Sequence, residues 1–447
     1  MHLSLAEEKQ IPYASAFAEL MRNRSSKEPA WSRILRQKSF AQFENVGLPT
    51  VAQEDWKYTN VSPIDRTNFE PIWVGSEHRF SAGDLAPFSY DETRRNTLVF
   101  VDGIFQPHSI HGSESRGFLL MSFSEAFAQS SYESALRRHC ERNAGNHENG
   151  FTHLNTAFAD GLLIVIPANV NAASIHLLFV VNHERSSAPA VFPRVLILAE
   201  ENATATVVET YVGSRREKYL TNAFMEVVLE RGANLQHYKL QRESVEAFHI
   251  ATTRIDVGES ATYEATTINL GAAISRSNIE VTMDYPGASC AVDGLYMIGS
   301  SQHTDTHSVI DHRQPHCTSH QLYKGVLDGK SHAVFNGKVF VRHGAQQTNA
   351  QQTNKNLLLS DEARVDTKPQ LEIFADDVKC AHGAAVGQLN EEELFYLESR
   401  GINPALARNI LTYGFAEEVI EKIKIDSIKR ELNAVVLNRL HSGLEIS

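Results

Sequence analysis

The sequence predicts a mainly β protein. A repetitive core, residues 151–390, lies between an N-terminal helical and mixed region, 1–150, and a C-terminal helical region, 391–447. Three observations predict this. From about Asn155 to about Gln388 the chain is rich in Val, Ile and Thr, alternates with period two, and lacks convincing helical faces. Small-residue turns recur through that stretch, most of them about 30 residues apart. Helix caps and helical periodicity are found towards the two ends.

In chain order, Phe17, Leu20 and Met21 give one short apolar helical face, and Trp31 to Phe43 gives a second, within residues 1 to about 60. Gly47-Leu48-Pro49-Thr50 breaks the pattern, and the charged and aromatic patch Glu54-Asp55-Trp56-Lys57-Tyr58 follows. Between 61 and 150 the reading is mixed. Asn96 to Phe105 reads as a hairpin with Asp102-Gly103 at its turn, a pair suited to positive φ, and Tyr132 to Cys140 reads as a helix.

In the core, Ala223, Met225, Val227 and Leu229 point one way while Glu226 and Glu230 point the other. Ser277, Ile279, Val281 and Met283 repeat the device against Asn278, Glu280 and Thr282. The turns are Glu201-Asn202-Ala203, Gly232-Ala233-Asn234, Gly258-Glu259-Ser260, Gly287-Ala288-Ser289, Gly329-Lys330-Ser331 and Asp361-Glu362-Ala363, with one longer gap between Gly287 and Gly329. Such a period suggests stacked coils, a β-helix or solenoid, because one coil cannot bury its own apolar face. A β-sandwich or barrel has similar turn spacing and is the alternative.

At the C-terminal end, Asn390 and Glu393 resemble a capping box, and Gly401 suits a C-cap. Asn403-Pro404 restarts a helix whose apolar face is Leu406, Ile410 and Leu411, up to Gly414. A longer helix is expected from Ala416 to about Leu440, with Ile420, Ile423, Ile428, Leu432 and Val436 apolar.

Composition narrows the function. With 447 residues, two or three units are expected unless the core is an elongated repeat. Apolar residues make up 42%, enough for a sizeable core, and the formal charge of −12 argues against nucleic-acid or anionic-membrane binding. Met1 to Gln10 is polar and does not read as a secretory leader. Gly161 to Val170, the longest apolar stretch, contains Pro167 and is about half of what a membrane span needs. The expectation is a soluble, cytoplasmic chain. Cys140, Cys290, Cys317 and Cys380 include no C-x-x-C pair, so a disulfide framework, a self-contained zinc ribbon and a ferredoxin-type site are disfavoured. Phosphate-loop, hydrolase-elbow and dinucleotide motifs are absent from the sequence. Asp376-Asp377 would face opposite sides of a strand, which weakens a carbohydrate-cleaving reading.

Two constellations carry candidate chemistry. Seven of the 20 histidines (His303, His307, His312, His316, His320, His332 and His343) fall within about 40 residues. Strand alternation and Pro315 would scatter them over different faces, so surface or interface histidines are the favoured reading over a metal site. In Asp376-Asp377-Val378-Lys379-Cys380-Ala381-His382-Gly383-Ala384, Cys380 and His382 lie two apart and would share a strand face. A thiolate and an imidazole suit zinc or iron, but two ligands do not close a site. Another subunit is the natural completion. The plainer reading, a buried Cys beside a surface His, is favoured by pattern alone.

Several runs carry a family resemblance. They are Tyr323-Lys324-Gly325-Val326, Ala333-Val334-Phe335-Asn336-Gly337, Gln351-Gln352-Thr353-Asn354-Lys355-Asn356-Leu357-Leu358-Leu359 and Val365-Asp366-Thr367-Lys368-Pro369-Gln370-Leu371-Glu372-Ile373. With Ala375 to Ala384, Phe395-Tyr396-Leu397 and Ser399-Arg400-Gly401-Ile402, they resemble the SufB/SufD family of paired iron–sulfur assembly proteins over roughly 320–415. Trp56-Lys57-Tyr58-Thr59 and Leu154-Asn155-Thr156-Ala157-Phe158 add thinner support, and Gly383-Ala384 after His382 fits the SufD branch better. The resemblance implies a right-handed parallel β-helix and a non-catalytic scaffold working with SufB and the ATPase SufC. It implies an iron–sulfur cluster, transient and at the level of the complex, built at the SufB interface. His382 would be a ligand or proton handler, Cys380 an auxiliary thiol, and 391–447 the SufC-docking region. The isolated chain could pair with itself through an exposed strand edge. The rivals are a purely structural paralogue holding SufB and SufC together, and a β-helix enzyme acting on carbohydrate.

Overall fold

A strand that recurs once per coil pairs with its counterpart one coil later, running the same way, and stacked coils build parallel sheets. The computed structural model describes residues 5–24, 28–74, 86–107, 117–145, 148–182, 187–213 and 217–441. The expectations for Met1 to Ser4 and for parts of the mixed 61–150 region fall outside these residues.

One sheet stacks the strands Leu220–Leu229, Phe248–Val257, Ile274–Met283, His303–His312, His332–Val341 and Arg364–Ile373, all parallel. A second stacks Thr204–Gly213, Asn234–Arg242, Thr262–Asn269, Ser289–Ile298, Thr318–Leu327, Thr348–Leu358 and Val378–Gly387, also parallel. The fold is thus a parallel β-solenoid of about 7 turns with helices at both ends. The run of parallel neighbours rules out the sandwich, whose sheets are antiparallel. The expected hairpin is present, with Val101 antiparallel to Ile104 and positive φ at Asp102 and Gly103.

The longer gap between turns has a physical explanation, because two turn series are interleaved. Asn202, Gly232, Ser260, Gly287, His316 and Gln347 all have positive φ, and each enters a strand of the second sheet. Ala272, Ser300 and Gly329 form the other series, entering the first sheet. His316, at φ 62°, occupies the turn that follows Gly287 in the first series. A histidine there gives no glycine signal, so the sequence showed a gap.

Between the sheets lies a continuous apolar interior, including Met225, Ile255, Ile279, Val281, Val292, Ile310, Phe335 and Val339. Here tyrosine rings alternate with glycines across neighbouring coils, Gly294 opposite Tyr323 and Tyr296 opposite Gly325. A Cβ on Gly294 would sit 2.2 Å from the Tyr323 ring, and one on Gly325 2.1 Å from the Tyr296 ring. The interior also holds charge. Burial alone would raise the Glu209 carboxyl, but Lys239 and the hydrogen bond from His237 hold it at about 2.

The terminal helices cover opposite outer faces. The N-terminal pair, Leu5–Arg24 and Ala30–Val46, packs Phe17, Phe40 and Phe43 with Phe158, Trp56 and Phe248 against the first sheet. Glu226 does point away from its apolar neighbours, yet it is 2% exposed, covered by this region and bonded to Asn143 and Arg194. Ala416, Val419, Ile420, Ile423, Ile428, Leu432 and Val436 cover the second sheet at Leu240, Ile268, Leu295 and Met297. The second helix of this region runs Pro404–Ile420, straight through Gly414, and a separate helix spans Asp426–His441. This corrects the single helix expected from Ala416 to Leu440. The expected face also fails in part, since Leu406 and Ile410 are 46% and 42% exposed while Ala407, Thr412 and Ala416 are buried. The helix turns its smaller side chains inward, which brings its backbone close to the sheet. Among the described residues, no helix is long and apolar enough to cross a membrane.

Candidate functional site

Each interior strand is covered by a coil on either side, but among the described residues the last coil has a neighbour on one side only. Its strands are Arg364–Ile373 and Val378–Gly387, and their burial falls away sharply after His332–Val341 and Thr348–Leu358. Both are edge strands, at the ends of their sheets. Pro369 fits this placement, since a residue without an N–H is tolerated at a sheet edge.

Cys380 and His382 lie on the second of these strands, opposite Ala350 and Gln352 of the coil below. Ala350 and Gln352 are both buried, so the register places Cys380 and His382 on the inward-facing side of the strand. Val365 and Leu371, on the facing strand, pack with Val378 and Cys380 onto the end of the core. The result is a mouth at the open end of the solenoid. Its floor is apolar beside Cys380 and carries the Gln352 amide under His382, with Cys380 half-buried and His382 exposed at its rim. Burial pushes the Cys380 thiol up from its ordinary value, which favours the protonated form until a metal or a base displaces the proton. Among the described residues no three His, Cys, Asp or Glu side chains converge as a metal-holding group. Cys380 and His382 are two side chains of donor chemistry, too few by themselves to close a metal site.

The histidine-rich stretch divides as strand alternation predicts, but several of its members are not surface residues. His312 is fully buried and bonds Ser319 across the interior. His316 takes a turn, and His320 lies 3.2 Å from Asp293. His303 and His332 face each other in register, Nδ1 to Nδ1 at 3.1 Å, on the outer side of the first sheet. The Trp56–Thr59 segment lies across them. Thr59 Oγ1 bonds His303 Nε2 at 2.9 Å and donates to Asp305, and Arg276 pairs with Asp305 at 2.7 Å beneath the Trp56 ring. His332 Nε2 meets Asp366 at 2.7 Å, while Arg364 lies 3.2 Å from its Nδ1. This cluster fastens an N-terminal segment to the sheet. Sequence reasoning missed it, although His303 and His332 lie one coil apart.

A second feature it missed is a stack of amides inside the last coils. Gln352 donates to Gln321 Oε1 at 2.6 Å, and Gln321 donates to Ser308 at 2.9 Å. The available signal was again a separation of one coil, Gln321 to Gln352, leading on to His382.

A second exposed group lies on the C-terminal helices. Phe395 and Tyr396, on the helix Glu391–Ser399, are 73% and 57% exposed, and Leu406 and Ile410 add to the apolar surface. Asn390 caps that helix through the Glu392 and Glu393 amides, and Gly401 ends it at positive φ.

Comparison with known proteins agrees over nearly the whole length. A family described as SUF system FeS cluster assembly, SufBD core domain, matches residues 179–415, and the SufBD protein N-terminal region matches residues 7–175. The chain is 34% identical to an iron–sulfur cluster assembly SufBD family protein of Synechocystis sp., over 90% of this chain and 89% of that one. It is 33% identical to the iron–sulfur cluster assembly protein SufD of Escherichia coli, over 91% of this chain and 93% of that one. With the protein of the same name from Bacillus subtilis it shares 26% identity, over 95% and 96% of the two chains.

Proposed function

This chain belongs to the SufBD family of SUF-system iron–sulfur cluster assembly proteins, and from that premise we propose that it is a non-catalytic scaffold subunit working with SufB and the ATPase SufC. The observation that carries the reading is the open last coil, which presents Cys380 and His382 at a pair of strand edges that no strand among the described residues covers. In this reading SufB docks against that edge, and the nascent cluster is cargo held between the two chains. His382 supplies an imidazole ligand or handles a proton, and Cys380 is an auxiliary thiol. The helical residues 391–447 dock SufC through the exposed Phe395, Tyr396, Leu406 and Ile410, the core 151–390 is the platform, and 1–150 braces it. The complex is cytoplasmic.

The test is co-expression with SufB and SufC, purification, and anaerobic reconstitution with iron and sulfide. Visible absorbance and bound iron are the readouts. The His382→Ala complex is expected to assemble and to lose most of its cluster. Equal loading in both would reduce the chain to an architectural paralogue, and loss of the complex itself would make His382 structural.

A further inference from the structure

The amide stack beneath the mouth is incomplete at its upper end. Gln352 is 1% exposed and spends its donor on Gln321, while its Oε1 is buried and has no hydrogen-bond partner. The opposite wall holds the amide in place, since a Cβ on Gly337 would lie 2.3 Å from Gln352 Nε2. Gln352 donates to the coil below and Gln321 donates across the interior to Ser308 on the facing strand, so the Gln352 oxygen is left for a donor from the coil above. The residue one coil above, in register, is His382. Leaving a buried carbonyl without a donor is costly, so a ring N–H offered from the coil above has a clear reason to fill it.

We propose that Gln352 is the positioning residue for His382, its Oε1 accepting one ring N–H so that the imidazole presents its other nitrogen as a free lone pair in the mouth beside Cys380. This rests on the reading of His382 as a cluster ligand. A metal-bound imidazole needs one bare nitrogen, and its other N–H is ordinarily held by a carbonyl or carboxylate that fixes tautomer and ring orientation. Gln352 supplies that carbonyl from a rigid strand and is itself held by Gln321 and Gly337. Thr367, whose Oγ1 is also buried and unpartnered, faces the same interior from the opposite strand.

The test uses the full-length chain with ¹⁵N-labelled histidine, the His382 resonances being identified by their loss in His382→Ala. The wild type is expected to show one dominant His382 tautomer, with a ring N–H protected from solvent exchange and close to the Gln352 side chain. Gln352→Met keeps the length and removes the acceptor, so it is expected to give a mixture of tautomers. Gln352→Glu, which restores an acceptor, is expected to bring back a fixed ring. In the complex with SufB and SufC, Gln352→Met should lower iron affinity by about 10–100-fold. An unbiased tautomer mixture in the wild type, or populations unchanged in Gln352→Met, overturns the proposal. The wild-type spectrum decides even where a variant fails to fold. Failure of the ligand reading itself is separate: it is seen when His382→Ala still loads a cluster, whatever the tautomer.

Discussion

Asp305 is 1% exposed, and its carboxylate is held by Arg276 and Thr59 against the coil that carries His303. Removing one member of such a pair leaves a buried charge, so Asp305→Ala is expected to cost about 3 kcal/mol, read from the urea midpoint. Arg276 keeps the Asp55 carbonyl at 2.7 Å and the Trp56 ring, which places the loss at the lower end of the range. The buried histidines give a pH dependence of definite sign. Burial lowers His303, His307 and His312 to about 4 from the ordinary 6.5, because the protonated ring loses its water. Their folded values lie below the unfolded one. Stability is therefore complete above about pH 6.5 and is withdrawn as pH falls towards 4, by up to about 1.4 kcal/mol per pH unit for each ring. Glu209 and Glu226, held at about 2, lose their contribution only below about pH 4.5. A urea midpoint that stayed flat from pH 7.5 to 5 would contradict the histidine assignment.

At the scale of elements, the helices Glu391–Ser399 and Pro404–Ile420 separate exposed apolar side chains from packed ones. The inner row, Ala416, Val419 and Ile420, seals the second sheet, while Phe395 and Tyr396 touch little of this chain. Replacing Phe395 and Tyr396 with Ser is expected to change stability by no more than about 0.5 kcal/mol. The same change is expected to weaken SufC binding at least tenfold in calorimetry. A large loss of stability with SufC binding intact would reverse that division. The caps of these helices were legible, because Asn390 and Asn403 act through their own neighbours in sequence. The inward face was not. Alanines that allow close backbone approach are weaker signals than the leucine and isoleucine left outside.

For the whole molecule, the decisive feature is that, among the described residues, the solenoid ends without a cap at the Cys380 coil. The apolar edge residues Ile373 and Val386 are 40% and 48% exposed there. An unpaired parallel edge invites another strand. The isolated chain is accordingly expected to self-associate through this end. Ile373→Lys with Val386→Lys should shift sedimentation towards monomer and weaken SufB binding, with the melting temperature held. Self-association unchanged by the pair would place the contact elsewhere.

The sequence by itself determined the repeat, the turns rich in small residues, the helical ends and the two-apart placement of Cys380 and His382. These are consequences of local spacing, since side-chain direction follows from strand or helix period alone. Only the tertiary structure decided which residues meet between coils. His303 reaches His332 and Gln321 reaches Gln352 because register brings residues about 30 positions apart to within hydrogen-bond distance. It also decided that Glu226 is covered, Leu406 exposed and the last coil left open. Burial is a property of which elements pack together, and the alternation in any one strand is the same whether its outer face meets water or a helix.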